Sequence, residues 1–245
     1  MKLVKLIVLI PVLLFSQSLL AEEKSWYQVE VVVFERLLPD LDGEQWRLRD
    51  YQQRGSMVEL VPREEAVRNG KPVPFSLMSV SRNRLAGTER VLRLSSSYRP
   101  LLHYSWQQPA YERENARFVH IQKLTEEAEA MAAIEAETAA TEVISSEPTL
   151  NEPAFIETIV DPGYIVDGAI RIRSGFYLHV DVDLTYFTAI PQQNRIVQTA
   201  DQVQNVDPFQ KIPVQLQETR KIKLNELHYF DHPMFGLIIQ VSRLE

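Results

Sequence analysis

Trp26-Tyr27-Gln28-Val29-Glu30-Val31-Val32-Val33-Phe34 is a β-branched and aromatic run with almost no polar interruption. Side chains of this kind suit a pleated, buried surface, so the run is expected to be a central strand of the core. Beyond it, residues 37–74 are punctuated by Pro39, Gly43, Gly55, Pro62, Asn69-Gly70, Pro72 and Pro74, the marks of a long excursion with short elements. Residues 75–98 carry a helical pattern, with Leu85, Val91, Leu92, Leu94 and Tyr98 set among Arg82, Arg84, Arg90 and Arg93. Pro100 is the expected stop, because it cannot continue a helix. A second strand is expected at 101–107.

The final third is strand-like throughout, at 168–173, 176–187, 213–224 and 237–241. Ser174-Gly175 suits a tight hairpin turn. Between Tyr177 and Tyr186 the alternation is sharp: Leu178, Val180, Val182, Leu184 and Tyr186 point one way, and His179, Asp181, Asp183 and Thr185 the other. A sheet with one solvated face has this pattern. The expected fold class is therefore α+β, with a β-α-β start followed by an antiparallel β-meander and one helix packed on the dry face of the sheet.

After Phe118 the composition changes. Residues 124–141 are rich in alanine and glutamate, with high helix propensity but few large apolar groups. Across 123–152, Lys123 stands alone against Glu126, Glu127, Glu129, Glu135, Glu137, Glu142, Glu147 and Glu152. Such a segment buries little and reads as an exposed helix or a partly disordered acidic insertion. The expected organisation is one α+β domain, with an N-terminal part at 22–123 and a β-rich part at 154–245, interrupted by the acidic, low-complexity insertion at 124–153.

At the start of the chain, Lys2 and Lys5 precede an apolar run from Leu6 to Phe15 and a short segment ending in Ala21. That order is a secretory signal peptide at 1–21, with cleavage expected after Ala21. A membrane-spanning helix needs roughly 20 apolar residues; this run is shorter and contains Pro11. The chain has no cysteine, and Glu22 holds the place where lipidation would need a thiol. The processed protein is thus expected to be free in the periplasm, without a membrane anchor. Removing the leader takes away two lysines and no acid, so the formal charge falls from −7 to −9. Nothing in this balance suggests a nucleic-acid partner.

Several clusters could carry chemistry. His228, Asp231 and His232, with His179 as a further candidate, could serve a metal-dependent hydrolase. Two histidines four apart bind zinc well on a helix, where that spacing places them on one face, but here they stand among strands before Pro233, which favours a turn. His179, Asp181 and Asp183 on a polar strand face are what solvation alone would select. No Gly-rich phosphate loop, nucleophile elbow, Ser-x-x-Lys pair or His-Glu-x-x-His helix is present. No catalytic, metal or cofactor residue is therefore assigned, and the protein is expected not to be an enzyme. Tyr104 and Trp106, beside Gln107 and Gln108, could stack on a sugar ring, although Trp106 also suits a core anchor. Arg82, Arg84, Arg90 and Arg93, or Arg220, Lys221 and Lys223, offer basic regions for an anionic ligand. The residues expected to bind ligand are Tyr104, Trp106, Arg220, Lys221 and Lys223.

Four stretches, Trp26 to Phe34, Leu101 to Pro109, Tyr177 to Leu184 and Glu226 to Gly236, together resemble the CsiV family of periplasmic proteins. The most specific pieces are Trp-Tyr-Gln-Val-Glu-Val-Val-Val-Phe, Leu-Leu-His-Tyr-Ser-Trp-Gln-Gln-Pro and Glu-Leu-His-Tyr-Phe-Asp-His-Pro-Met-Phe-Gly. The resemblance implies a non-catalytic protein of the Gram-negative periplasm that binds peptidoglycan and supports cell-wall synthesis and cell shape. It also implies two partners, a class A penicillin-binding protein and the outer-membrane lipoprotein that activates it. The other readings are the metal-dependent hydrolase and a structural interaction protein without glycan affinity.

Overall fold

A computed structural model describes residues 25–39, 51–141, 163–189, 196–199, 202–205 and 211–244, leaving aside the side chains of 135–141, 196–199 and 202–205. The expected leader at 1–21, its cleavage after Ala21, and residues 142–153 of the acidic insertion lie outside this set. In chain order the elements are β1 (Trp26–Arg36), β2 (Val67–Arg68), β3 (Lys71–Pro72), β4 (Ser76–Leu77), α1 (Ala86–Leu94), β5 (Tyr98–Pro109), β6 (Val119–His120) and β7 (Lys123–Leu124). There follow α2 (Glu126–Thr141), β8 (Tyr164–Arg173), β9 (Leu178–Ala189), β10 (Ile196–Thr199), β11 (Gln202–Asn205), β12 (Lys211–Ile222), β13 (Leu227–Asp231) and β14 (Phe235–Leu244).

The apolar run at the start forms β1, the middle strand of a sheet in the order β13-β14-β1-β5-β4, antiparallel throughout. Both of its faces are covered. Val29, Val31 and Val33 enter the main core, whereas Val32 and Phe34 pack against Leu85 and Leu92 beneath α1. A second antiparallel sheet runs β12-β9-β8-β6, with β7 also paired to β8. Its Ile170, Ile172, Val180, Val182, Leu184, Val214 and Leu216 share one cluster with Val29, Val31, Leu237 and Ile239 of the first sheet. The two sheets thus bury their dry faces together, at about 1.5–3 kcal/mol for each large apolar side chain removed from water.

This arrangement corrects the expectation that a helix covers the dry face. The second sheet does so, and α1 packs on the opposite face of the first sheet. Among the described residues the architecture is mostly antiparallel sheet with two α-helices, and β1 and β5, which flank α1 in the chain, are antiparallel neighbours. The helix is also shorter than the 75–98 pattern suggested. Phe75 and Met78 donate backbone hydrogen bonds to Gln107 at 2.7 Å and Ser105 at 2.8 Å, which draws this stretch into the sheet edge as β4. Pro100, expected to stop the helix, lies inside β5 at the bulge between Val33 and Phe34. The 228–233 run, expected as a turn, is largely the edge strand β13.

Gly168 is required where it stands in β8. Its φ is +150°, and a Cβ there would meet Asp183 O at 2.2 Å and Leu184 Cα at 2.8 Å, both backbone atoms of β9. The Ala/Glu-rich segment forms α2, whose Met131 and Ile134 are exposed. Its start is tied down by a Thr125 N–H that donates to Gly163 O at 2.8 Å. Among the described residues no helix is long and apolar enough to cross a membrane.

Candidate functional site

Alternation along β9 places His179, Asp181, Asp183 and Thr185 on the outer face of the second sheet, yet this face is less open than the pattern implied. Asp181 is buried: it accepts hydrogen bonds from Arg171 Nε at 2.8 Å, from Arg173 Nε and Nη2 at 2.7 and 2.8 Å, and from Thr219 Oγ1 at 2.8 Å. Burial alone would raise its pKa, but these donors hold it below the usual carboxylate value. Asp183 pairs with Arg54 and accepts from Gln215 at 2.9 Å. Arg54 and Arg171 both lie over the Phe118 ring, with guanidinium carbons 4.0 and 4.2 Å from its centroid. These groups spend most of their polar capacity on one another, although Arg54 Nε is buried without a hydrogen-bond partner.

The hydrolase candidates are also separated. Asp231 pairs with Arg36 at 2.7 Å and accepts from the Tyr229 hydroxyl. His228 Nε2 accepts from the Lys223 N–H, and His232 Nδ1 from the Met234 N–H, both at 3.2 Å. Among the described residues no three histidines or acids converge as a metal would require.

The aromatic candidates divide. Trp106 is fully buried, with Nε1 donating to Gln108 Oε1 at 2.8 Å. It anchors the core and offers no ring face to a sugar, which corrects the ligand reading of this residue. Tyr104 is half-buried and donates its hydroxyl to Gln122 O at 2.9 Å. It lines a depression of about 370 Å³ with His103, Lys123 and Glu129. Burial raises its pKa and the nearby Glu129 adds to the rise.

The basic candidates divide as well. Arg220 lies over the Phe230 ring at 4.6 Å and donates to Tyr229 O at 2.7 Å and Glu218 Oε1 at 2.9 Å. It stitches β12 to β13 and is engaged. Lys223 is exposed, with Nζ 3.1 Å from Glu226 Oε1. Lys221 is exposed too, and its ammonium sits over the Tyr177 ring, 2.8 Å from the centroid. Lys221, His179 and Arg173 are directly opposite one another across β12, β9 and β8. This row closes the sheet at the β8–β9 hairpin.

The tip of that hairpin carries two aromatic residues, Phe176 and Tyr177, edge to face at 4.7 Å. Phe176 is 93% exposed. The 174–177 segment is a longer loop than the tight Ser174-Gly175 turn expected. Sequence reasoning assigned both rings to a strand, although two aromatics directly after Ser-Gly could have been read as a loop displaying them. The arrangement can hold an apolar ring or sugar face on aromatic surface while cations meet an anion beside it.

A family described as "Peptidoglycan-binding protein, CsiV" matches residues 3–244. No curated protein and no solved structure matches the chain.

Proposed function

The chain belongs to the CsiV family of peptidoglycan-binding proteins, and from that premise we propose that it binds peptidoglycan in the periplasm without catalysis, through the aromatic tip of the β8–β9 hairpin and the cations beside it. The observation that carries this reading is Phe176, an almost fully exposed phenylalanine, next to a Tyr177 ring that holds the Lys221 ammonium. Two adjacent exposed aromatics, rimmed by polar groups, form the kind of apolar patch that marks an interaction site. Peptidoglycan supplies both halves of the match, because sugar rings have apolar faces and stem peptides end in carboxylates. With a formal charge of −7, the protein must meet such a polyanion through a locally basic surface. Lys221 and Lys223, both exposed, make this end of the sheet locally basic.

In this reading the protein is exported by its leader and supports wall synthesis together with a class A penicillin-binding protein and its outer-membrane lipoprotein activator. The test is retention of the purified processed protein on washed sacculi, with an unrelated acidic protein as control. Crosslinking in the periplasm tests the partners separately. A protein that washes off with the control has no wall affinity, which defeats the reading.

A further inference from the structure

Beside the hairpin lies a groove of about 660 Å³, lined by Pro74, Phe75, Tyr111, Glu114, Asn115 and Arg117 among others. This is within the size range of small-ligand sites, roughly 300–1,000 Å³. Its floor is an aromatic pair, Phe75 and Tyr111, nearly parallel at 13° with centroids 5.7 Å apart. Phe75 has a φ of +61°, an outlier for a bulky side chain and a conformation that persists only where the surroundings enforce it. Here the enforcement is visible: its N–H donates to Gln107 O at 2.7 Å and its carbonyl accepts from the Val61 N–H at 2.9 Å. Two backbone bonds therefore fix a strained residue so that its ring floors the groove. The rim is polar. Glu114, Asn115 and Arg117 are exposed, and the turn that presents them is closed by Asn115 and Ala116 N–H bonds to Glu112 O at 3.0 and 2.8 Å. Tyr111 also joins the groove to the hairpin, because its carbonyl accepts from the Ser174 N–H at 2.7 Å.

We propose that this groove is a saccharide subsite for an N-acetylated sugar bearing a carboxylate, with the pyranose face on Tyr111, the acetamido group at Asn115, hydroxyls at Glu114 and the carboxylate at Arg117. The proposal rests on the peptidoglycan reading and extends it from the hairpin tip to the glycan strand. Each group has a chemical reason. An aromatic face takes the C–H face of a pyranose, an amide side chain both donates and accepts as an acetamido group requires, and a guanidinium forks onto a carboxylate.

The experiment is an amide-resolved NMR titration of the processed protein with three probes: peptide-free GlcNAc–MurNAc, chitobiose, which lacks the carboxylate, and a free stem tetrapeptide. The disaccharide should shift the amides of 111–117 and bind about fivefold more tightly than chitobiose, the preference one exposed ion pair can supply. Arg117→Ala should abolish that preference, and Asn115→Ala should weaken both sugars about tenfold; both residues are exposed, so the fold should hold. A tetrapeptide that shifts 111–117 while the disaccharide does not would overturn the proposal. A silent disaccharide with intact sacculus retention would overturn the groove alone and leave the hairpin reading standing. Loss of sacculus retention by the unaltered protein would overturn both.

Discussion

His103 Nε2 lies 2.7 Å from the Glu30 carboxylate, which is 1% exposed and also accepts the backbone N–H groups of Arg84 and Leu85 at 2.8 Å each. One acid in the central strand therefore caps the start of α1 and holds an imidazole whose other nitrogen is 2.8 Å from Glu89 of that helix. Burial alone would lower the His103 pKa, but the two carboxylates outweigh it and the net shift is upward. Removing one member of a buried pair costs about 3–5 kcal/mol. Glu30→Ala should lose stability on that scale, measured by urea unfolding, and a loss below about 1 kcal/mol would contradict the capping role.

The same pair sets a pH dependence. A histidine with a raised folded-state pKa contributes stability that is fully present below its unfolded value of about 6.5 and is lost as pH rises through the folded value. His120, between Glu59 and Asp167, shifts in the same direction. His232 shifts downward through burial, so its effect has the opposite sign and appears below about pH 6.5. Thermal stability should fall as pH rises above about 6.5, and His103→Gln with His120→Gln should flatten the slope. A slope unchanged in the double variant would remove these pairs from the account.

Trp106→Ala should cost about 3–5 kcal/mol, as large-to-small changes in well-packed cores do. Trp106→Phe should fold and retain full sacculus affinity. A folded Trp106→Phe protein that no longer binds would restore this residue to the ligand site.

Gly168→Ala places a methyl group against the backbone of Asp183 and Leu184. Backbone cannot move aside as a flexible side chain can, so a loss of about 4 kcal/mol or more is expected. A near-neutral result would show that β8 and β9 separate more easily than their register implies.

The strands were largely legible because their signal is local. The 26–34 run, the alternation of 177–186 and the apolar 237–241 run all became strands of the core, since a two-residue period depends only on neighbours. The helix was legible in part: Leu92 of α1 and Leu85 just before it do face inward, but the 75–80 stretch was claimed by the sheet edge through bonds to Gln107 and Ser105, far along the chain, that no local pattern reports. The site was least legible for the same reason. Lys221 was visible as a basic candidate, but its partner Tyr177 and the row with His179 and Arg173 depend on strand register. Tyr111 and Phe75, 36 positions apart, meet only because β4 joins β5.

Wall binding through the hairpin tip is measured by co-sedimentation with purified sacculi across a salt series for the unaltered protein, Phe176→Ala, Lys221→Glu with Lys223→Glu, and the combination of all three. These residues are exposed, so the variants should fold, and thermal melting checks that they do. The screening length shrinks from about 10 Å at 0.1 M salt to about 3 Å at 1 M, so the charge contribution should fade and the aromatic contribution persist. Lys221→Glu with Lys223→Glu should weaken binding at low salt only, Phe176→Ala should weaken it at all salt concentrations, and the combination should abolish it. Sacculus binding by the folded triple variant equal to that of the unaltered protein would contradict the account and place the wall contact elsewhere on the molecule.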